Sequence, residues 1–528
     1  DDWTGPANCG GHTWEFDAFD AIQDGINAVA EGGTVIVYAG AYAESVGINK
    51  RLTLSGAGSD PAGTRIVPNA GPAILLTAGD ATETERITLQ DIRLTSPSDG
   101  ISITTNVSHL TIDNVSSVNC GASGLGMNAA TQGLVTDVQI SNSSFCGNGQ
   151  MGISISKRFT VDGLTVSDSH FDDNRRGLYA QSLDNSQYDT TFTNVTFTNC
   201  SFDRAWDKAG IWLEKLNNAT FTNCTVNDSG QAASAWMAGV DLNLKHRHYQ
   251  NITFDNVTIS NSGTGDPVNG AGIAIKARDD GAYAAYPATL TGVQLRNMTI
   301  TGCVDGVRLG EPGALNVTPV NVTISGCTFS GNALSDVRNC CAQGNVVDAR
   351  GNAWGNGATT DAQIEDQVWH DVDQAGIGHV DWGQGGATAT NLSVQNVSGA
   401  KGATVQLAAR LTAGGAALAG QTVAISVDGA AVAGSPAITD TNGWARIDYT
   451  ITQDAGTFAI AAAFGGVFNY QAAAGTGTLT VSTPAPTGIT VTMAPNPVTA
   501  GQTSTATVTG TNNGEDYSSA ATCYIQYG

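Results

Sequence analysis

Residues 239–259 read GVDLNLKHRHYQNITFDNVTI and hold two phrases that return through the first two thirds of the chain. The first is a glycine followed by alternating apolar residues. It recurs as GISIT at Gly100, GLGMN at Gly124, GISIS at Gly152, GLYAQ at Gly177, GIWLE at Gly210, GIAIK at Gly272 and GVRLG at Gly306. The second, ITFDNVTI, is echoed by LTIDNVSSV, VQISNSSF, LTVSDSHF, FTNVTFTNCSF, ATFTNCTV, VQLRNMTI and NVTISGCTF. Successive glycines stand 24 to 34 residues apart. A period of that size, carried by short alternating strands, is one coil of a parallel β-helix, with strands stacked about 4.8 Å apart. The alternation turns one side of each strand to the core and the other outward. A sandwich would show hairpin turns such as Asn-Gly at regular spacing, and these coils do not. The expected fold class is all-β, with a right-handed parallel β-helix and its N-terminal cap over residues 1–383.

The cap is expected in AFDAIQDGINAVAEGG. Ile22, Ile26 and Val29 share one face of a short amphipathic helix that can plug the open end of the core.

Counting the glycine as zero, positions +1 and +3 are apolar and point inward, so +2 and +4 point outward. The +2 column holds Ser154, Tyr179, Trp212, Asp241, Ala274 and Arg308, and the +4 column holds Ser156, Gln181, Glu214, Asn243 and Lys276. The turns beyond add Lys215, Lys245, His246, Arg247, His248, Arg278, Asp279 and Asp280. In a chain with few charges these form one patch.

Two readings of the patch follow. As a carbohydrate site, Glu214 and Asp241 are the candidate acid–base pair, with Lys276 beside them. Tyr179, Trp212, Arg278 and Arg308 are then candidate ligand contacts. A lyase would instead use Lys or Arg as base, with carboxylates holding calcium. As a solvated face, opposite charges alternate between stacked strands and keep an exposed sheet soluble and in register.

The bulk composition narrows the classes. The chain has 528 residues, with Lys+Arg 23 against Asp+Glu 47 and a formal charge of -24. No basic stripe is available to neutralise phosphates, which excludes a nucleic-acid partner. No run of 18 apolar residues exists, so no membrane span is expected. The start, DDWTGPANCGG, reads as a mature N-terminus after signal-peptide removal, and an extracellular or cell-surface location is expected.

Among the ten cysteines there is no CxxC pair and no Cys/His spacing for zinc; no metal and no cofactor is expected. Cys200, Cys224 and Cys327 share an apolar column with Val115, Val257 and Met298, which places them in the core. Cys120 with Cys146, and Cys200 with Cys224, are the candidate disulfide pairs on successive coils. Fifteen Asn-x-Ser/Thr sequons occur, including Asn106, Asn114, Asn194, Asn218, Asn251, Asn297 and Asn321. They are candidate glycosylation sites, or turn asparagines followed by strand threonines.

The segment GGTVIVYAGAYAESVGINKRLTLSGAG resembles the first coils of the pectin lyase-like superfamily. GNAWGNGATTDAQIEDQVWHDVDQAGIGHVDWG is similar to the closing segment of β-helix repeat proteins on bacterial and archaeal surfaces. The resemblance spans roughly residues 14–383 and implies the fold, on which many functions occur. The catalytic phrases of pectin methylesterases are absent, so no family catalytic residue is carried over.

After Gly383 the composition shifts to Ala, Gly, Thr and Val. TNLSVQNV, ATVQLAARLTA, QTVAISVDG, WARIDYTIT, GTFAIAAAFGG and GTLTVST read as sandwich strands. AITDTNGWARIDYTI with AAFGGVFNYQ and GTLTV resembles bacterial Ig-like repeats of invasin type over residues 388–482. Such modules act as spacers. Residues 484–528 then read as a Pro-rich linker and a partial Ig-like unit, which is less than half a domain. Either the natural chain continues, or a neighbouring chain supplies the missing strands.

Two function classes remain. One is an extracellular structural or adhesive protein that self-associates into a filament or array. The other is a secreted polysaccharide-active enzyme, a hydrolase or a lyase, with glycans as partners.

Overall fold

The computed structural model describes residues 9–77, 82–182, 190–383, 388–466 and 470–482, with the backbone of Gly488–Ala494, Thr505–Asn512 and Glu515–Tyr517. The chain forms two compact units, Asp1–Gln384 and Gly385–Gly528.

The first unit is a right-handed parallel β-helix. Among the described residues its strands pair in parallel into a sheet of twelve strands, one of fifteen and a short one of four. In the twelve-stranded sheet Leu178, Ile211, Val240, Ile273 and Val307 stand opposite one another in turn. Gly177, Gly210, Gly239, Gly272 and Gly306 therefore stack on consecutive coils, and Gly100, Gly124 and Gly152 extend the column. The reason for glycine is close approach. A Cβ on Gly152 would meet the Gly177 carbonyl oxygen at 2.5 Å, and one on Gly239 would meet that of Gly272 at 2.7 Å.

Other corners are made by asparagine and aspartate. Asp91, Asn114, Asn142, Asp168, Asn199, Asn223, Asn256 and Asn297 occupy one column with φ from +49° to +57°. Asn194, Asn218, Asn251 and Asn321 occupy a second. The left-handed region excludes most side chains, whereas Asn and Asp tolerate it through local hydrogen bonds. Here the amides also bond from coil to coil: Asn256 Nδ2 donates to Asn223 Oδ1 at 2.9 Å, and Asn251 Nδ2 to Asn218 Oδ1 at 3.1 Å. Of the candidate glycosylation sites, Asn114, Asn194, Asn218, Asn251, Asn297 and Asn321 all donate Nδ2 within the protein. Asn106 uses its Oδ1 to accept the Leu134 N–H. The turn reading of these sequons accounts for their geometry.

Inside, the aliphatic columns are joined by a phenylalanine stack in which Phe197, Phe221 and Phe254 lie 5.2 and 4.8 Å apart. The cysteine column is buried as expected, with Cys200, Cys224 and Cys327 at 1–2% exposure. Cys200 and Cys224 are neighbours on adjacent coils and interact as free thiols. The expected Cys120–Cys146 bridge is not formed. Cys120 faces inward and lies buried against Ser117, whereas the Cys146 sulfur accepts the Asp172 N–H. The strand has ended by then, so residue separation no longer reports side-chain direction.

The cap is the helix Ile22–Ala28, with Ile22 and Ile26 in the core and Val29 packed against it. The Glu44 carboxylate accepts the N–H groups of Ile22 and Gln23 and closes the helix N-terminus. No helix among the described residues is long and apolar enough to cross a membrane.

The second unit has its own core, including Leu407, Ile425, Ile460 and Leu479. Its sheets are mainly antiparallel, through Thr390–Val394, Thr404–Ala413 and Trp444–Thr450 in one and Thr422–Val427, Gly456–Phe464 and Ala473–Ser482 in another. Gly488–Ala494, Thr505–Asn512 and Glu515–Tyr517 form a further three-stranded antiparallel sheet. The Pro-rich linker lies outside the described residues.

Candidate functional site

The outward side of the twelve-stranded sheet carries the charge patch. Tyr179, Trp212, Asp241, Ala274, Arg308, Arg338 and Trp369 follow one another across Arg176–Ala180, Ile211–Leu213, Ala238–Leu244, Ala271–Ala277, Asp305–Leu309, Ser335–Asn339 and Val368–Trp369. Glu214, Asn243 and Lys276 lie two residues further along, with Asn243 opposite Lys276.

The expectation of an exposed, solvated face is overturned. Glu214 is 7% exposed, Asp241 and Lys276 2% each, and Arg308 0%. These side chains point away from the core and are nonetheless buried, because loops fold over the sheet. Residues 231–237 lay Trp236 above the site, its ring centre 5.5 Å from Lys276 Nζ and 5.2 Å from Arg308 Cζ. The Trp236 N–H is tied to Asp266 Oδ2 at 2.7 Å. Trp236 has φ +62°, an uncommon conformation for a bulky residue.

Under Trp236, Lys276 Nζ lies 3.2 Å from Asp241 Oδ1. Burial draws the Lys276 ammonium below its usual range, while Asp241 opposes the shift. Arg308 is also pulled down by burial. Among the described residues its Nε and Nη1 have no hydrogen-bond partner. Asp305 is raised by burial, accepts the Ser335 hydroxyl at 2.7 Å and stands 3.5 Å from Arg338 Nη1. To one side, Arg176 lies over the rings of Trp212 and Tyr179 at 4.3 and 5.0 Å, and bonds Asp207 at 2.8 Å.

The remaining candidates have structural duties. Glu214 Oε1 takes Lys245 Nζ at 2.6 Å and Oε2 takes the Ser182 N–H at 3.0 Å, so it is no free acid–base partner for Asp241. Arg278 grips Asp280 with two bonds at 2.8 and 2.9 Å, reaches Glu311 at 3.2 Å and stacks on Tyr283. Asp279 accepts from Asn316 Nδ2 and the Val317 N–H. These charges fix the turn that follows Lys276. Lys215, expected in an outward turn, is 1% exposed and donates to Phe159 O, Thr190 Oγ1 and Ser156 O. It continues the strand alternation and so points inward.

Sequence reasoning missed Arg176, Trp236, Asp305 and Arg338. Arg176 and Asp305 precede their glycines by one, where alternation counted back from +1 predicts an inward side chain. The glycine position itself faces inward, toward Phe202 at Gly177 and Phe329 at Gly306. The alternation breaks there, and the residue before it turns outward. Trp236 sits in an irregular loop and carried no register signal.

Residues 72–248 match the family model described as the right handed beta helix region. The chain is similar to the catalytic unit of the thermostable GH87 alpha-1,3-glucanase from Streptomyces thermodiastaticus strain HF3-3, at 16% identity and a TM-score of 0.38, covering 70% of this chain and 72% of that one. It is also similar to ORF18 of Geobacillus virus E2, at 14% identity and a TM-score of 0.31, covering 95% of this chain and 82% of that one. Neither superposition is close enough to extend to a site. No curated protein matches the chain.

Proposed function

We propose that this chain is a secreted polysaccharide-active enzyme that takes an acidic glycan along the outward side of the twelve-stranded sheet. The observation that carries the reading is Arg308, fully buried with Nε and Nη1 unpartnered beside the Lys276–Asp241 pair. Burying an incompletely paired guanidinium costs several kcal/mol by order of magnitude, so the site suits a ligand that supplies the missing acceptors. A sugar carboxylate does this. Tyr179 and Trp212 offer adjacent rings on which sugar faces can stack.

The chemistry favours a lyase over a hydrolase. A hydrolase needs two available carboxyl groups, and Glu214 is fully engaged. In an elimination, neutral Lys276 takes the proton from the carbon beside the carboxylate. The electron pair forms a carbon–carbon double bond and the glycosidic C–O bond breaks, its oxygen taking a proton back from the Lys276 ammonium and leaving as a hydroxyl. Burial favours the neutral lysine, and Arg308 holds the charge that develops on the carboxylate. The loop carrying Trp236 lifts to admit the chain.

The test is incubation with a panel of polyuronates and neutral glycans, followed by ultraviolet absorbance of the unsaturated product. Product from a polyuronate, lost in Lys276→Met and Arg308→Met, is expected. New reducing ends from a neutral glycan without that absorbance would move the assignment to a hydrolase, and no binding or cleavage of any acidic glycan would overturn it.

A second reading is an extracellular structural or adhesive protein that self-associates. It draws on the mainly antiparallel second unit, which suits an Ig-like spacer, and on the three-stranded sheet after it. Light scattering with and without residues 484–528 tests it. A monomer in both cases rejects assembly through that segment.

A further inference from the structure

The β-helix closes with a second cluster of side chains that the charge patch does not involve. His370 follows the last strand of the twelve-stranded sheet, Val368–Trp369, and His379 opens His379–Asp381, the last of the fifteen-stranded sheet. The end of the helix thus brings both histidines together, with Asp371 between them in sequence. Their nitrogens His370 Nδ1 and His379 Nδ1 are 3.1 Å apart. Asp371 Oδ1 lies 2.7 Å from His379 Nδ1 and 3.2 Å from His370 Nδ1.

We propose that these three atoms bind one divalent transition-metal ion of the zinc type. Around such an ion, bonds of about 2.0–2.1 Å set tetrahedral ligand atoms about 3.3 Å apart. The observed triangle is near that size. Two imidazoles and a carboxylate are also the donor set such ions favour over magnesium or calcium.

An independent feature points the same way. His370 is 0% exposed, and its other nitrogen, Nε2, lies 3.1 Å from Glu365 Oε1. The Val380 N–H donates to Nδ1, which assigns the proton to Nε2 beside Glu365 and leaves Nδ1 the unprotonated nitrogen, 3.1 Å from His379 Nδ1 and 3.2 Å from Asp371 Oδ1. A carboxylate that takes the second N–H of a histidine is the usual means of orienting a metal ligand. Asp373 Oδ2 accepts the His370 backbone N–H at 3.0 Å and fixes the turn. Ion binding displaces one long hydrogen bond, the 3.2 Å contact from Val380. Asp371 is exposed, so the ion has a path from solvent.

The experiment uses the full chain, stripped by chelator and titrated with Co2+ and with Zn2+. One equivalent of Co2+ should give visible absorption of tetrahedral type, and Zn2+ should bleach it and raise the melting temperature. His370→Ala is a poor probe, because a fully buried residue is lost and the fold with it. His379→Ala and Asp371→Asn alter the rim instead and should abolish the signal. Glu365→Gln should weaken binding about 10–100-fold, and His248→Ala, at an exposed histidine elsewhere, should change nothing. Absence of a one-equivalent signal, or an undiminished signal in folded His379→Ala, overturns the proposal.

Discussion

Lys276 Nζ stands 3.2 Å from Asp241 Oδ1 on the neighbouring coil, and both side chains are sealed from solvent although both point away from the β-helix core. Removing Asp241 leaves the Lys276 amine buried without its carboxylate partner, and removing Lys276 leaves the Asp241 carboxylate without its amine. Asp241→Ala should therefore destabilise the first unit by about 3–5 kcal/mol. Asp241→Ala combined with Lys276→Met should recover most of that loss. Urea unfolding of the two singles and the double measures the coupling.

Lys215 gives stability a pH dependence. Burial lowers its amine to about 7, although the three oxygens around Nζ suit a proton. The unfolded lysine titrates near about 10.4. Between those values the unfolded chain holds a proton that the folded chain has released, so this residue's contribution rises with pH, by up to about 1.4 kcal/mol per unit. Lys276, also lowered, acts in the same direction. Lys215→Met should flatten the slope of unfolding free energy between pH 7 and 10, read from denaturation midpoints across that range.

The corner asparagines hold left-handed backbone that few residues accept. Asn218, at φ +47°, should tolerate glycine with little loss, while Asn218→Val should cost about 1–2 kcal/mol from the backbone alone. Thermal unfolding separates the two variants. Equal destabilisation by Gly and Val would shift the explanation to the amide ladder.

The coil was legible because its rules are local. Val240 and Leu242 alternate with Asp241 and Asn243, and the same register holds from Gly100 to Gly306. That register gave outward direction for Asp241 and Lys276 correctly. It could not give exposure, since what buries them is Trp236, on a loop with no period. The histidine cluster was hidden for a related reason. His370 and His379 close different sheets, and only the coil geometry makes their nitrogens neighbours. The Cys120–Cys146 pairing failed beyond the end of alternation, where spacing stops reporting direction.

Arg308 separates a functional from a merely structural charge cluster. Its guanidinium is buried, with Nε and Nη1 lacking partners among the described residues. If the residue is kept for a ligand, its burial is a cost that the folded protein carries until the ligand arrives. Arg308→Met keeps the packing under Trp236 and removes that cost. The variant should then be as stable as the parent or more so, by up to about 4 kcal/mol, as when buried ions give way to apolar residues. It should at the same time lose acidic-glycan binding. A structural role predicts the reverse, because Asp305 and Asp241 would lose a nearby positive charge and the fold would weaken. Melting temperature and glycan binding measured on the same sample decide between the two outcomes, and a fall in melting temperature would assign Arg308 to the scaffold.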